Sequence, residues 1–224
     1  YQPIINVKDD SIFGYEALMR PMPFSPMEFI NELTKRDKLQ LVEEITNYYG
    51  VKYFLETGLE GKLFINTFPS TCMRLEVSAA VAELGGTTMI GRVVYEILEY
   101  TTKNRFAYNI KRTAINESNV QALIAIDDYG TGSNYDLECI DFYKPDLVKI
   151  DREIISDIDR DTVKQEILEQ MCYDMQSRNI KLLAEGVETQ EEYNYLKMQP
   201  IDYMQGYFLG KPKLYTEYIK EEVK

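Results

Sequence analysis

Short apolar runs alternate with longer amphipathic stretches along the whole chain, and this alternation limits the possible folds more than any other feature. Several runs are continuous, such as Leu-Ile-Ala-Ile before Asp127 and Lys-Leu-Leu-Ala before Glu185. Continuous apolar runs are typical of strands buried on both faces, as in a parallel sheet. We therefore predict eight strands: Gln2–Val7, Ile12–Met19, Lys62–Asn66, Val93–Leu98, Ala122–Asp127, Leu147–Asp151, Lys181–Glu185 and Met204–Leu209.

Helical periodicity fills several of the gaps between these strands. Residues Pro26–Tyr49 have the pattern of two helices broken near Asp37, and Glu191–Met198 has the pattern of a short final helix. Asp161 is a suitable N-cap for a helix over Thr162–Arg178. That helix places five apolar residues on one stripe: Val163, Ile167, Leu168, Met171 and Met175.

The first two strands lie too close together for a helical crossover. We therefore expect an antiparallel hairpin around Lys8–Ser11. The predicted fold is an α/β protein, a modified TIM (β/α)8 barrel with one antiparallel strand near the N-terminus. An open doubly wound sheet is the alternative, but no glycine-rich phosphate loop follows the first strand. We see no linker or internal repeat, so we predict a single domain over residues 1–224, and the start at Tyr1 suggests a domain excised from a longer protein.

The residues that are missing or rare exclude several classes of function. The 224 residues contain no histidine, which excludes histidine acid–base catalysis, histidine-bound zinc and Ser-His-Asp triads. A formal net charge of −12 disfavours broad binding to DNA or RNA. No apolar run approaches the roughly 18 residues that span a bilayer. Three cysteines without Cys-x-x-Cys spacing indicate a reducing, cytoplasmic location, either free or as the cytoplasmic part of a membrane-anchored protein: Cys72, Cys139 and Cys172.

Almost every predicted strand ends in an acid, an amide or a lysine. These residues are Glu16, Asn66, Glu96, Asp127 with Asp128, Lys149, Glu185 with Glu188, and Gln205. A single acid at a strand end is usually a helix cap. In a barrel, however, the C-terminal strand ends converge on one face, where this many acids would repel one another. Divalent metal ions relieve the repulsion, and oxygen-only ligands favour Mg²⁺ or Mn²⁺.

Eight motifs stand in order along the whole chain. They are QPI at Gln2–Ile4, YEALMR at Tyr15–Arg20, FIN at Phe64–Asn66, YEILE at Tyr95–Glu99, DDYGTG at Asp127–Gly132, VKID at Val148–Asp151, AEGVET at Ala184–Thr189 and QGYFLGKP at Gln205–Pro212. Together they resemble the EAL domain family of cyclic-di-GMP-specific phosphodiesterases. The resemblance implies hydrolysis of cyclic-di-GMP to linear pGpG in bacterial second-messenger signalling, with two divalent ions, Mg²⁺ or Mn²⁺, in the active site.

The resemblance also implies a role for each matched residue. The ligands of one ion are Glu16, Asn66, Glu96 and Asp127, and Asp127 bridges to a second ion bound by Asp128 and Glu185. Lys149 holds the attacking water, Asp128 is a candidate proton acceptor, and Glu188 and Gln205 orient ligands or face the substrate. The substrate groove contains Arg20, which contacts a phosphate, together with Leu18, Gln2 and Pro3. The plainer alternatives are a surface lysine for Lys149 and a surface salt bridge for Arg20.

Two departures from the family pattern fall in the loop that couples dimerisation to metal binding in the family. Tyr129 stands where phenylalanine is usual, and Ser133–Leu137 differs from the usual YSSL. A catalytically weak or inactive cyclic-di-GMP receptor that regulates a partner domain is therefore an alternative. A metal-dependent barrel enzyme with Lys149 as a proton-abstracting base ranks last, because it leaves Arg20 without a role. The resemblance further implies a homodimer, and sensory or cyclase domains in a longer signalling protein.

Overall fold

The computed structural model describes residues 1–71, 83–98, 105–117, 120–130 and 137–219. Within these ranges eight strands follow one another in a closed hydrogen-bonded order from β1 to β8. The strands are β1 Gln2–Asn6, β2 Ile12–Ala17, β3 Lys62–Thr67, β4 Val93–Ile97, β5 Leu123–Tyr129, β6 Leu147–Ile150, β7 Lys181–Ala184 and β8 Tyr203–Met204. The predicted α/β barrel is therefore confirmed.

From β2 onward, the described helices lie between most pairs of successive strands. They are α1 Pro26–Lys35, α2 Leu39–Thr57, α3 Arg105–Glu117, α4 Leu137–Tyr143, α5 Arg152–Ile155, α6 Thr162–Ser177 and α7 Gln190–Leu196. Two short 3₁₀ turns lie at Gly86–Met89 and Tyr215–Glu217. No helix in the described part of the chain is long and apolar enough to cross a membrane.

The antiparallel strand is β1, as predicted. It pairs antiparallel with β8, where Ile5 lies opposite Met204, and the Asn6 amide donates to the Ser11 carbonyl at 2.8 Å across the hairpin turn. Asp10 takes the left-handed backbone conformation in this turn, with φ 59°. Aspartate tolerates that conformation better than most residues, so the sequence suits the turn.

The predicted strand Met204–Leu209 is wrong beyond its first residue, because β8 ends at Met204. A Cβ at Gly206 would lie only 2.0 Å from the Val187 carbonyl oxygen, so the chain passes directly against another backbone there. The following residues turn rather than extend, and the Gly210 amide donates to the Gly206 carbonyl at 2.9 Å. The apolar residues of this segment gave the appearance of a strand.

The helix boundaries agree with the sequence pattern near the N-terminus. α1 begins at a capping box, in which Ser25 and Glu28 exchange hydrogen bonds, and Asp37 lies in the predicted break with φ 55°. α2 continues to Thr57, eight residues past the predicted Tyr49, and ends at Gly58 in the left-handed conformation.

The long helix near the C-terminal part of the chain begins as predicted. The Asp161 side chain accepts hydrogen bonds from the amides of Val163 and Lys164, which makes Asp161 the N-cap of α6. Val163 is 63% exposed, however, so it does not belong to the buried stripe. The buried residues of α6 are Leu168, Met171, Cys172 and Met175.

Two compact units can be distinguished in the chain. Unit 1 consists of Tyr1, Glu16–Ala122 and the segment from Lys213, and unit 2 consists of Gln2–Tyr15 and Leu123–Pro212. In unit 1, β3 and β4 run parallel, with Leu63 opposite Val93. In unit 2, β5 to β8 run parallel, and the fully buried core residues of these strands include Ile124, Ile126, Val148, Ile150, Leu182 and Leu183. The assignment of residues 1–224 to a single domain stays a prediction.

Of the three cysteines, Cys139 and Cys172 are free and buried, as expected for small apolar side chains. Cys72 lies outside the described residues, as do Glu99 of the fourth motif and residues 131–136 of the loop that departs from the family pattern.

Candidate active site

A bulge in β5 brings two consecutive acids together. Ile126 pairs with Val148 and Tyr129 with Ile150, so β5 has one more residue than β6 between these two pairs. Asp128, the residue before Tyr129, has a left-handed backbone with φ 52°. Consecutive side chains of a regular strand point to opposite faces, and a bulge breaks this alternation. The carboxylates of Asp127 and Asp128 can therefore share one side of the strand.

A third acid joins this pair in unit 2. Glu185 directly follows β7, and its amide continues the sheet by donating to the Ile150 carbonyl at 3.1 Å. One carboxylate oxygen from each of Asp127, Asp128 and Glu185 lies within 4.8 Å of the other two. We refer to these three residues as the carboxylate triad. Their spacing is suited to a hard cation held by oxygen ligands.

Lys149 provides the positive charge at the triad. Its side chain is 1% exposed, and its Nζ lies 2.7 Å from Asp127 Oδ1 and 2.8 Å from Glu185 Oε1. The alternative of a surface lysine is therefore wrong. Lys149 belongs to β6, which lies between β5 and β7, and this order explains why one lysine contacts acids from both neighbouring strands.

The pKa of Asp128 is raised to about 7, first by burial and then by the negative charge of Asp127. Asp151 contributes to the same shift through its charge and a side-chain hydrogen bond. Asp151 is also the N-cap of α5 and accepts from the Glu153 amide at 2.6 Å. No role was predicted for Asp151 from the sequence, although its position two residues after Lys149 in a strand-end motif was a usable signal.

The segment after β7 is held by side chains from two helices. Arg152 of α5 forms an ion pair with Glu188 at 3.0 Å, and it covers Gly186, where a Cβ would lie 2.4 Å from the arginine Cγ. Glu192 of α7 is buried and accepts hydrogen bonds from the backbone amides of Asp157, Glu188 and Thr189 at 2.8–3.0 Å. Arg152 and Glu192 both contact Glu188, and neither was predicted from the sequence to belong to the site.

Gln205, Gln2 and Pro3 also lie in unit 2. Gln205 is buried directly after β8, and its amide donates to the Ala184 carbonyl at 2.9 Å. Gln2 donates from Nε2 to the Gly210 carbonyl at 3.2 Å, and Pro3 packs so closely on Gly210 that a Cβ there would lie 2.4 Å from Pro3 Cγ. Gln2 and Pro3 therefore contact the segment that follows Gln205.

Three of the predicted metal ligands lie in unit 1. Asn66 and Glu96 are register partners on β3 and β4, and Glu96 is fully buried. Asn66 Oδ1 is buried and has no hydrogen-bond partner among the described residues. Glu16 is buried near the end of β2. A buried acceptor without a donor is unfavourable in a metal-free fold, and a bound cation would satisfy it.

Leu18 and Arg20 follow β2 in unit 1. Leu18 is half-buried, whereas Arg20 is exposed and donates from Nη1 to the carbonyl of Met19 at 2.9 Å. Among the described residues, no acid forms a salt bridge with Arg20.

The sequence model of the EAL domain family matches residues 1–212 of the 224. The chain belongs to the EAL domain family. Asp127, Lys149, Glu185 and Gln205, described above from their geometry, each lie in one of the EAL motifs that the sequence analysis identified.

Curated relatives of this EAL domain come from several bacteria. A protein named a probable cyclic di-GMP phosphodiesterase, PdeD of Escherichia coli strain K12, is 28% identical over 94% of this chain and 40% of its own length. The cyclic di-GMP phosphodiesterase TpdA of Vibrio parahaemolyticus is 29% identical over 92% of this chain and 35% of its own length. The chain therefore spans less than half the length of these relatives.

Solved EAL structures share the fold. A standalone EAL protein from Vibrio cholerae O395 in its c-di-GMP-bound form has 27% identity and a TM-score of 0.81, over 98% of this chain and 95% of the other. A manganese and cyclic-di-GMP complex of Klebsiella pneumoniae BlrP1 has 25% identity and a TM-score of 0.77, over 93% of this chain and 53% of the other.

Proposed function

We propose that this EAL domain is a metal-dependent phosphodiesterase that hydrolyses cyclic-di-GMP to linear pGpG in bacterial signalling. The carboxylate triad with Lys149 is the observation that carries the proposal, because it combines oxygen ligands for divalent ions with a buried ammonium group. Relatives named as cyclic di-GMP phosphodiesterases and a similar structure with bound c-di-GMP support the same substrate.

The residues of the site suit two divalent ions, Mg²⁺ or Mn²⁺. The carboxylate triad and the buried Asn66 Oδ1 are oxygen donors of the kind that these ions prefer. The proposed ligands are Glu16, Asn66, Glu96 and Asp127 for one ion, and Asp127, Asp128 and Glu185 for the other. When bound, a pair of such ions lowers the pKa of water and neutralises charge on the attacked phosphate.

The protein's own groups position and deprotonate the water. Lys149 donates a hydrogen bond to the attacking water and orients its lone pair toward phosphorus. Asp128, a carboxylate of the triad, accepts the proton of the water as a general base. Attack in line with the leaving 3′ oxygen forms a bond from the water oxygen to phosphorus and breaks the bond between phosphorus and the 3′ oxygen, which takes a proton from solvent and becomes the 3′ hydroxyl of pGpG. Glu188, fixed by Arg152, and Gln205 orient the ligands and the substrate.

The substrate contacts follow from the second set of matched residues. Arg20 binds a phosphate, for which a planar guanidinium is suited because it can donate two parallel hydrogen bonds. Leu18, Gln2 and Pro3 line the groove for the nucleotide. Because bound cations reverse the local sign of the potential, a chain with net charge −12 can still attract an anionic dinucleotide.

Incubation of the domain with cyclic-di-GMP and Mg²⁺ or Mn²⁺, followed by chromatography, tests the proposal. We expect linear pGpG as the product, and Glu16→Ala should abolish turnover because it removes a metal ligand. Glu60→Ala, at an exposed position, is the matched control and should keep full turnover. Measurable nucleotide binding without any hydrolysis would instead favour a receptor that regulates a partner domain.

We also propose where the domain acts and how it assembles. It acts in the cytoplasm, either free or as the cytoplasmic part of a membrane-anchored protein, and it forms a homodimer. The greater length of the curated relatives supports additional sensory or cyclase domains in a longer protein. Analytical ultracentrifugation with and without cyclic-di-GMP would test the dimer.

A further inference from the structure

A lysine and a glutamate form an ion pair in the interior of unit 1. Lys111 of α3 is 1% exposed and Glu43 of α2 is 3% exposed, and the Lys111 Nζ lies 2.7 Å from Glu43 Oε1. Moving both charges out of water has a large desolvation cost, and well-packed apolar side chains in the same place are often as stable or more stable. The proposed hydrolysis does not use either residue, so the pair calls for another explanation.

The contacts of the pair converge on the end of β3 and the turn that follows it. Lys111 Nζ donates to Thr67 Oγ1 at 2.6 Å and to the Phe68 carbonyl at 2.5 Å, and it lies 3.0 Å from Thr71 Oγ1. The hydroxyls of Thr67 and Thr71 donate to the two carboxylate oxygens of Glu43. We refer to these five residues, Glu43, Thr67, Phe68, Thr71 and Lys111, as the Lys111 cluster.

The residue directly before this segment is Asn66. Thr67 and Asn66 are consecutive in β3, so their side chains point to opposite faces of the sheet. Thr67 points toward the helices that carry Glu43 and Lys111, and Asn66 points to the other face with its register partner Glu96. Any rotation of the Thr67 backbone would therefore also move Asn66 Oδ1.

We propose that the Lys111 cluster positions Asn66 for a divalent ion by fixing the carboxyl end of β3. The proposal rests on the proposed function, which makes Asn66 a metal ligand. A hydrogen-bonded ionic cluster has a more specific geometry than apolar packing, because each charge must keep its partners. Lys111 and Glu43 act through Asn66, and they are positioning residues rather than catalytic ones.

The double variant Glu43→Leu/Lys111→Met tests the proposal. Replacing both charges by apolar side chains of similar size leaves no unpaired buried charge, but the Thr67 hydroxyl loses these two partners, so we expect cooperative unfolding at a moderately lower melting temperature than that of the parent. We expect the Kd for Mn²⁺, measured by calorimetry without nucleotide, to rise about 10–100-fold. Hydrogen exchange of the amides of residues 66–68, 70 and 71 should become faster. The exposed pair in Glu32→Leu/Arg36→Met is the matched control and should keep the parent Kd.

A folded double variant that binds Mn²⁺ as tightly as the parent would overturn the positioning role. Asn66→Ala, measured alongside, separates the two proposals. If Asn66→Ala weakens Mn²⁺ binding and the double variant does not, only the positioning role fails. If Asn66→Ala has no effect, the assignment of Asn66 as a ligand fails and the positioning role fails with it.

Thr67→Val decides the question if the double variant does not fold. This substitution keeps the ion pair and the shape of the side chain but removes the hydroxyl that joins β3 to both charges. We expect a folded protein whose Kd for Mn²⁺ is raised about tenfold. An unchanged Kd in this variant would overturn the proposal.

Discussion

Among single residues, Lys149 allows the most direct test of the site. Its ammonium group contacts two carboxylate oxygens that we propose as metal ligands. Nζ lies 2.7 Å from Asp127 Oδ1 and 2.8 Å from Glu185 Oε1. Lys149→Met removes the group that orients the water, and we expect turnover to fall by about 10²–10⁴-fold. The same change removes a cation that competes for the carboxylates, so Mn²⁺ binding should persist or tighten. Steady-state kinetics and calorimetry measure the two effects separately.

Lys181→Met is the matched control for this prediction, since Lys181 lies at the start of β7 and forms an exposed pair with Asp202 at 2.8 Å. This variant should keep both turnover and metal affinity. Parent-like turnover by Lys149→Met would remove the lysine from the mechanism. Loss of Mn²⁺ binding in that variant would instead indicate that the lysine maintains the geometry of the triad.

The acids of the site could be predicted from the sequence because each one follows an apolar run, and parallel strands bring their carboxyl ends to one edge. The bulge that lets Asp127 and Asp128 share one side could not be predicted, since it depends on the pairing of β5 with β6 rather than on residue type. Arg152 and Glu192 were missed for a related reason. Both residues belong to helices, and their roles arise from tertiary contacts with the segment after β7.

Among the elements, the segment between β7 and α7 depends on one buried carboxylate. Hydrogen bonds from the amides of Glu188, Asp157 and Thr189 lower the pKa of Glu192, although burial alone would raise it. A lowered pKa means that this contribution to stability is complete above the ordinary pKa near 4.5 and is lost as the pH falls through the folded-state value. We expect Glu192→Gln to lower the free energy of unfolding by about 1–3 kcal/mol at pH 7. Urea unfolding from pH 7 to pH 3 should show this difference shrinking below about pH 4.5.

Glu191→Gln is the control for that experiment, because Glu191 is an exposed acid in the same first turn of α7. It removes the same charge at nearly the same distance from the helix end, and it should change the free energy of unfolding by less than about 0.5 kcal/mol. Equal losses in the two variants would mean that the helix end, and not the three amides, accounts for the effect of Glu192.

Substitution by alanine should have opposite effects on stability at two glycines, Gly206 after β8 and Gly50 inside α2. Gly206→Ala would place a Cβ 2.0 Å from the backbone oxygen of Val187, so it should destabilise the fold by about 1–3 kcal/mol or more. Gly50 lies inside α2, where a Cβ would meet Ile65 and Ala17 at 3.7 and 3.8 Å, an ordinary contact distance. Gly50→Ala should stabilise the fold by about 0.5–1 kcal/mol, because alanine is the better helix former. Thermal unfolding measures both effects. Shifts of the melting temperature with the same sign in the two variants would contradict the prediction.

The sequence predicted the strands better than the helices. α3 was missed because the charged Lys111 interrupts the apolar face that Ala107, Tyr108, Ala114 and Ile115 form at helical spacing. α4 was also missed, and α5 is only four residues long, which is too short for a periodic pattern to be recognised. The apolar segment after Met204 was taken for a strand because the close approach of Gly206 to Val187 depends on tertiary contacts that residue type alone does not reveal.

At the scale of the whole molecule, the excess of negative charge connects the proposed metal site with the stability of the fold. A chain of net charge −12 accumulates acids whose mutual repulsion opposes folding. The carboxylate triad concentrates part of that charge at a partly buried site in unit 2, where water screens it less than at the surface. Bound cations would stabilise the folded state and would not bind the unfolded chain with comparable affinity, so metal binding and stability should be linked.

We therefore expect Mn²⁺ to raise the melting temperature of the isolated domain without any nucleotide. At a free Mn²⁺ concentration of 100 times Kd, binding stabilises the folded state by about 2.7 kcal/mol per ion. This corresponds to a rise in melting temperature of several degrees for a chain of this size. Asp127→Ala removes the proposed bridging ligand and should abolish most of the shift, whereas Asp141→Ala, at an exposed acid, should retain it. Differential scanning fluorimetry over a range of Mn²⁺ concentrations measures these shifts. If Asp127→Ala kept the full shift, the ions would be binding to the acidic surface in general and not to the carboxylate triad.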